Sequence, residues 1–351
     1  MAKNEVLKRP GAEVAAAAAV AGVAAAGGKL ALDRRSRRID EERSFRLRAD
    51  EAVPDGIRRI ARGQIESAHD ELESASGRKV GPAVHEARKS LKRLRAAVRL
   101  SRDALGDESY RQENSAFRDS GRRLSGARDA KVLIETLDAV EGAAGDELTA
   151  GATAGLRAQL ETEHEEALES LRAGGATVAV LGDLEKARAR VATWTLTADG
   201  FDCIEPGLRR IYRRGRNAMQ TVAAERSTEN LHEWRKRVKD LWHATQIVRP
   251  ASPGRMKKMS RRLHDLSDLL GDDHDLAVLL AYVKRHPQCF EDRDQQAALV
   301  AVMERRRELL QGKALSLGSS LYEQPPKDLT RSLSRRWRKR VGKPRRPTAA
   351  V

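Results

Sequence analysis

Aromatic residues are scarce in this chain. There are four each of Trp, Tyr and Phe among 351 residues. Proteins that hold single-stranded nucleic acid stack bases on aromatic side chains, so the scarcity argues against that class. Trp194, Trp234, Trp242 and Trp337 stand at helical spacing and read as core or core-edge residues. Cysteine is scarcer still. Cys203 and Cys289 lie far apart in dissimilar contexts, which excludes a disulfide framework and a zinc site and suits reduced thiols in the cytoplasm. No run of alternating β-branched residues occurs, so strands are not expected. No G-x-x-x-x-G-K-[ST] segment occurs, which removes nucleotide hydrolysis of that kind. Long hydrophobic runs are missing too. The nearest approach is AAAAAVAGVAAAGG, ending at Gly28, but alanine adds little hydrophobicity and Glu5 and Glu13 precede it. Residues 1–44 are therefore read as a flexible, Ala-rich and then basic tail, and no membrane span is expected.

What is abundant is positive charge. Lys and Arg number 67 against 51 Asp and Glu, a formal net charge of +16 and an isoelectric point near 10.2. That excess calls for a polyanionic partner: nucleic acid, an acidic membrane surface or a phosphate polymer.

The chain also repeats itself. VHEARKSLKRL, starting at Val84, matches LHEWRKRVKDL, starting at Leu231. Upstream, GIRRIAR from Gly56 matches GLRRIYR from Gly207; downstream, LSGARDAKVL from Leu124 matches LGDDHDLAVL from Leu270. Three matched blocks in one order indicate two copies of one unit. The first copy is assigned to residues 45–173, a connector to 174–200, the second copy to 201–340, and a disordered basic tail to 341–351.

Both central blocks read as amphipathic helices. In the first, Val84, Ala87, Leu91, Leu94 and Val98 share one face. His85, Arg88, Lys89, Lys92, Arg95 and Arg99 share another, with Arg93 close by. A solvated helix face ordinarily mixes Lys with Glu four residues apart, because aligned like charges repel. A nearly all-positive face is best balanced by a polyanion. The second copy carries His232, Arg235, Lys236 and Lys239, with His243 one turn further on. The upstream blocks add Arg58, Arg59 and Arg62, and then Arg209, Arg210, Arg213 and Arg216.

Turn signals place the remaining helices. The first is expected from Pro54 to Ser76, the stripe helix from Pro82 to Leu105, then Ser109–Leu124, Asp129–Gly142 and Asp146–Arg172. In the second copy, helices are expected to Glu225, then Thr228–Val248, Gly254–Leu270, Asp273–His286 and Glu291–Tyr322. Pro325 and Pro326 form a break before a last basic helix, Arg331–Arg340. The fold class is all-α: two antiparallel helical bundles of about four core helices each, related by an approximate two-fold axis, with basic helices facing a shared groove. The cluster Asp272, Asp273, His274 and Asp275 falls at an expected helix start and reads as N-terminal capping rather than a metal site.

The pattern His-x-x-Arg-Lys-x-x-Lys-Arg-x-Arg, followed downstream by Arg-Asp-x-x-Val, resembles the CHAD family (conserved histidine α-helical domain) over roughly residues 45–340. The resemblance implies paired four-helix bundles whose basic surface binds inorganic polyphosphate, often at polyphosphate granules. It implies His85 and His232 as the family histidines. Arg88, Lys89, Lys92, Arg93 and Arg95 accompany the first, and Arg235, Lys236 and Lys239 the second. The chain departs from the pattern where Asp240 and Trp242 replace the counterparts of Arg93 and Arg95, and where His274 replaces the counterpart of Arg128. No Glu-x-Glu-x-Lys strand motif of a triphosphate-tunnel domain is present, and no nucleophile with a matched base is visible. The expectation is a cytoplasmic, non-enzymatic polyphosphate-binding protein with no metal and no cofactor. A nucleic-acid-binding protein using the same cations is the alternative.

Overall fold

The computed structural model describes residues 44–75, 80–149, 151–173 and 175–341. The N-terminal tail up to residue 43 and the basic tail from residue 342 lie outside the described residues. Contacts divide the chain after Phe45, and all the helices named below lie in the unit from Arg46 onward. Among the described residues there are twelve α-helices and no strands. The all-α expectation holds.

The first five are α1 (Val53–Glu73), α2 (Val80–Leu100), the single turn α3 (Arg102–Leu105), α4 (Asp107–Arg123) and α5 (Gly126–Ala144). Then come α6 (Ala154–Ala173) and α7 (Ala176–Ala192). The second half has α8 (Glu205–Ala224), α9 (Thr228–Ile247), α10 (Pro253–Arg285), α11 (Arg293–Leu321) and α12 (Pro326–Val341).

Helix α2 shows why these elements form. Val84, Ala87, Leu91, Leu94 and Val98 are all buried, at the spacing the sequence set for one face. Each large aliphatic buried in this way contributes roughly 1.5–3 kcal/mol. The helix stops at Leu100, a turn earlier than expected, and Gly106 ends the corner with φ +84°, a conformation suited to glycine. At the other end of the chain, α11 stops at Leu321 before the Pro325–Pro326 break, as expected, but α12 opens on Pro326 and not at Arg331, because a first-turn proline has no intrahelical N–H to lose.

Helices α1, α2, α4 and α7 pack together as one bundle. The expected connector is thus part of the first half: α7 is pinned to α4 by Arg190, which makes hydrogen bonds of 2.8 and 3.0 Å to the buried Glu113 carboxylate. Helices α8, α9, α10 and α11 form a second bundle, with α12 packed on α8. Gly207 sets one join between the halves. A Cβ at that position would overlap the Leu100 carbonyl oxygen, so only glycine lets α8 cross the end of α2.

The second half differs from expectation most in its middle. Gly254–Leu270 and Asp273–His286 are a single helix of 33 residues, α10. In the first half, the matched stretch is broken at Leu124–Ser125, between α4 and α5. Asp272, Asp273, His274 and Asp275 therefore lie mid-helix, and the capping assignment is wrong. Asp273 is buried and accepts hydrogen bonds from Arg307 Nε (3.0 Å) and Gln311 Nε2 (2.7 Å), which tie α10 to α11. The distal pair α5–α6 packs on the far end of α10 and α11. Leu137, Val140, Leu156 and Leu160 share a core there with Leu279, Val283, Leu299 and Met303.

Candidate polyanion groove

Helices α2 and α9 pack against each other, and their polar faces line one groove with two chambers. The first chamber, about 530 Å³, is walled by His85, Arg88, Lys89, Lys92 and Arg93 of α2 and by Arg235, Lys239, Trp242 and His243 of α9. Gln246 of α9, Arg128, Asp129, Val132 and Leu133 of α5, and His274, Asp275 and Val278 of α10 complete it. The second chamber, about 550 Å³, adds Arg95 and Arg99 of α2, Arg118 and Arg122 of α4, and His232, Lys236, Arg237 and Asp240 of α9. Arg88, Lys92, Arg235, Lys239 and His243 border both, so the chambers are continuous. Seven Lys or Arg face two Asp in the first, and ten face one in the second. The groove is therefore strongly positive throughout.

Twelve of the nineteen residues singled out from the sequence lie in this groove. The seven upstream arginines do not line it. Arg58 donates to the Trp194 carbonyl (3.0 Å) and pairs with Asp55; Arg59 is clamped by Glu51 at 2.6 and 2.8 Å. Arg210 makes a two-pronged bond to Asp103 at 2.9 and 2.5 Å, and Arg209 pairs with Glu205 at 2.5 Å. Arg62 and Arg213 are exposed and Arg216 half-buried on the same helices. Arg58, Arg209 and Arg210 thus tie α1 and α8 to neighbouring segments, away from the groove. Arg118, Arg122 and Arg237 were missed. The first two lie one turn apart on a helix the sequence did predict, which was the available signal.

Arg88 and Arg235 occupy matched positions but fare differently. Arg88 donates to the Ser125 carbonyl at 3.1 Å, in the break between α4 and α5, and contacts Asp129 at 3.4 Å. Gly271 matches Ser125, but there α10 runs on and its carbonyls are engaged within the helix. The Arg235 guanidinium packs over Gly271, whose Cβ would sit 3.7 Å from Nε. Its Nε is buried without a hydrogen-bond partner among the described residues. Asp275 and Asp272 offset only part of the burial that pulls its pKa down. An unpaired buried donor costs free energy unless a ligand supplies the acceptor.

Two lysines join it. Burial, then Arg235 and Lys92, brings Lys239 down to about 7; burial, then Arg88 and Arg235, brings Lys92 down to about 8. Lys92 is reachable by solvent although protein crowds around it, so the half-buried Lys239 is the more strongly held of the two. Neither lysine has a hydrogen bond or ion pair among the described residues. Arg95 is lowered to about 10 by burial and by Arg99, and remains charged at neutral pH.

The histidines are neutral here. His85 is lowered by burial and then by Arg128, and His232 by burial and then by Lys236. His274 is lowered to about 4 by burial and Arg235, and its Nδ1 lies 3.2 Å from His232 Nδ1. One ring of this pair donates and the other accepts. His243 does not extend the second cationic row as expected. It is buried, stacked on Trp242 and lowered to about 3 by burial and then Arg93, so it is an uncharged part of the wall. Asp240 does more than shorten that row: it pairs with Arg99 across the groove at 2.5 Å and with Arg237 at 3.5 Å.

No helix among the described residues is long and apolar enough to cross a membrane. One cluster of ligand-type atoms occurs among them, His69, Asp70 and Glu73 on α1, which lines neither chamber.

The fold and the groove define an all-α protein with a walled, highly cationic channel between its two halves. The CHAD domain model matches residues 59–284, more than half of the chain. The chain belongs to the CHAD domain family. No curated protein matches the sequence.

Proposed function

We propose that the groove binds inorganic polyphosphate without turning it over. The observation that carries this reading is the meeting of Lys92, Lys239 and the Arg235 Nε, cationic groups from α2 and α9 that make no hydrogen bond among the described residues, with Asp129, Asp275 and Asp268 offsetting only part of their charge. A phosphate polymer carries charge and oxygens but no bases or sugars, so its recognition needs cations and hydrogen-bond donors. Arginine offers a planar fork and lysine a mobile point charge. The walled channel suits a thin chain, from which water can be displaced on several sides. CHAD membership supports the same polymer.

The acidic residues at the groove support an absence of turnover. Asp129 contacts Arg88, Asp275 lies beside Arg235, and Asp240 holds Arg99. Each serves an arginine, and none is paired with a nucleophile among the described residues. Docking on polyphosphate granules follows as a proposed role.

The test is competition. Labelled long-chain polyphosphate, bound at near-physiological salt, should resist displacement by duplex DNA of equal total charge. Displacement by the duplex at equal or lower concentration would assign the groove to nucleic acid instead.

A further inference from the structure

A second basic surface lies outside the groove, on α8, the first half of α10, and α12. Arg209, on α8, contacts Thr330 of α12 at 3.3 Å. Arg216 and Arg255 both approach Tyr212, whose hydroxyl donates to the Leu321 and Gln324 carbonyls. Arg255 in turn donates to Ser332 Oγ of α12 at 3.0 Å and to the Gln324 side chain. Seven residues further along the same face of α10, Arg262 donates to Ser320. On α12, Arg335, Arg336 and Lys339 follow Ser332 by three, four and seven residues, and all three are exposed.

Two arginines of this surface have neutral partners. Arg255 and Arg262 are held by neutral oxygens, Ser332, Gln324 and Ser320. Their guanidinium groups are thus oriented without a carboxylate hydrogen bond, although Glu323 lies beside Tyr212 with Arg255, and Arg209 on the same face is paired with Glu205. By contrast, Arg123 is held by the Asp183 carboxylate and Arg157 by that of Asp138. An arginine oriented by neutral groups is ready for an external anion.

We propose that this face docks the backbone of duplex nucleic acid, separately from the groove. The cations lie on three helices, tied together where Arg209 of α8 and Arg255 of α10 each reach α12, so they spread over a broad face rather than along a single row. A thin polymer follows one row at a time, whereas a duplex presents two phosphate strands across a groove and can meet both. The aromatics of this region, Tyr212, Tyr322 and Trp337, are all buried, so nothing there stacks an unpaired base. Contacts would be to phosphate, giving little sequence preference and a strong salt dependence. The protein would then bridge a duplex on one face and a polymer in its groove.

The experiment uses the full chain and a fluorescent duplex of mixed sequence at about 0.15 M salt. At that concentration each released counterion is worth roughly fivefold in affinity. The variant Arg216→Ala/Arg255→Ala/Arg262→Ala should therefore bind the duplex about a hundredfold more weakly, and its salt slope should fall by nearly three. The groove variant Lys92→Ala/Arg235→Ala/Lys239→Ala should hold the duplex as the wild type does. The face variant should keep its affinity for polyphosphate, which separates this inference from the groove reading. Three results would each overturn it: wild-type duplex affinity in the face variant, equal loss in the groove variant, or loss of polyphosphate rather than duplex from the face variant.

Discussion

Polyphosphate affinity should fall steeply as pH rises from 6 to 9. The perturbation is deprotonation of Lys239 and Lys92, lowered to about 7 and about 8 in the free protein. The groups facing Lys239 are Arg235, Lys92, Asp275 and Asp268, and those facing Lys92 are Arg88, Arg235, Asp129 and Arg128. A polyanion in the groove adds negative charge beside both lysines and raises both pKa values, so binding takes up protons. Affinity is then full below the free-state values and is lost as pH climbs through them toward the values in the complex. At pH 9, Lys239 is about two units above its free pKa and Lys92 about one. If both are charged when bound, the combined loss is up to about a thousandfold in Kd. His85 and His232, lowered in the free protein, add to the slope on the acid side. The assay is anisotropy of labelled polyphosphate at constant ionic strength, with titration calorimetry in two buffers of different ionisation enthalpy to count protons. Lys239→Arg keeps the charge at pH 9 and should flatten the upper part of the curve. A Kd constant from pH 6 to 9, or proton release on binding, would refute the reasoning.

Folding stability of the unliganded protein should respond oppositely. Between about pH 7 and 10 the unfolded chain keeps protons that Lys239 and Lys92 have shed, so their contribution to stability rises with pH; Lys92→Met/Lys239→Met should remove that rise from urea midpoints. Asp240→Asn releases Arg99 and should tighten polyphosphate binding and steepen its salt dependence, while lowering the thermal midpoint because a partly buried arginine loses its partner. Gly207→Ala should cost about 1–3 kcal/mol or more in denaturant unfolding, since its Cβ would meet the Leu100 carbonyl, whereas Gly63→Ala, with open space around it, should be neutral or stabilising by up to about 1 kcal/mol. Incubation with polyphosphate and Mg²⁺ or Mn²⁺ should release no phosphate above background; metal-dependent release that disappears in Asp275→Asn would contradict the non-enzymatic reading.

The stripe helices were legible because two patterns coincided in them. Val84, Leu91 and Leu94 set a buried face, and Arg88 and Lys92 had to lie on another. The same logic failed for Arg58, Arg59 and Arg210. Periodicity fixes which residues share a face but not what the face meets, and Asp55, Glu51 and Asp103 were already waiting for them. The unbroken α10 was missed because Gly271 and the acidic residues after it look like a helix end and a new start. Buried pairing of Asp273 with Arg307 and Gln311 holds the helix through that point, and the nearer of these partners lies 34 residues away in sequence. The difference between Arg88 and Arg235 was equally invisible. It depends on whether a neighbouring helix breaks and offers a carbonyl. The matched blocks themselves are the basis for regarding the two halves as copies of one unit.

The central claim is that the cations meeting between α2 and α9 hold a phosphate polymer. The most direct measurement is the Kd of long-chain polyphosphate for Lys92→Ala/Arg235→Ala/Lys239→Ala against wild type, at several salt concentrations, with helicity and thermal unfolding recorded alongside. The expected result is an intact helical fold, affinity weaker by about a hundredfold at near-physiological salt, and a salt slope smaller by nearly three, taking the nucleic-acid value per contact as a guide. Unchanged affinity and slope would make the groove an ordinary solvated surface. Unfolding of the variant would show that these cations hold the two halves together rather than a ligand.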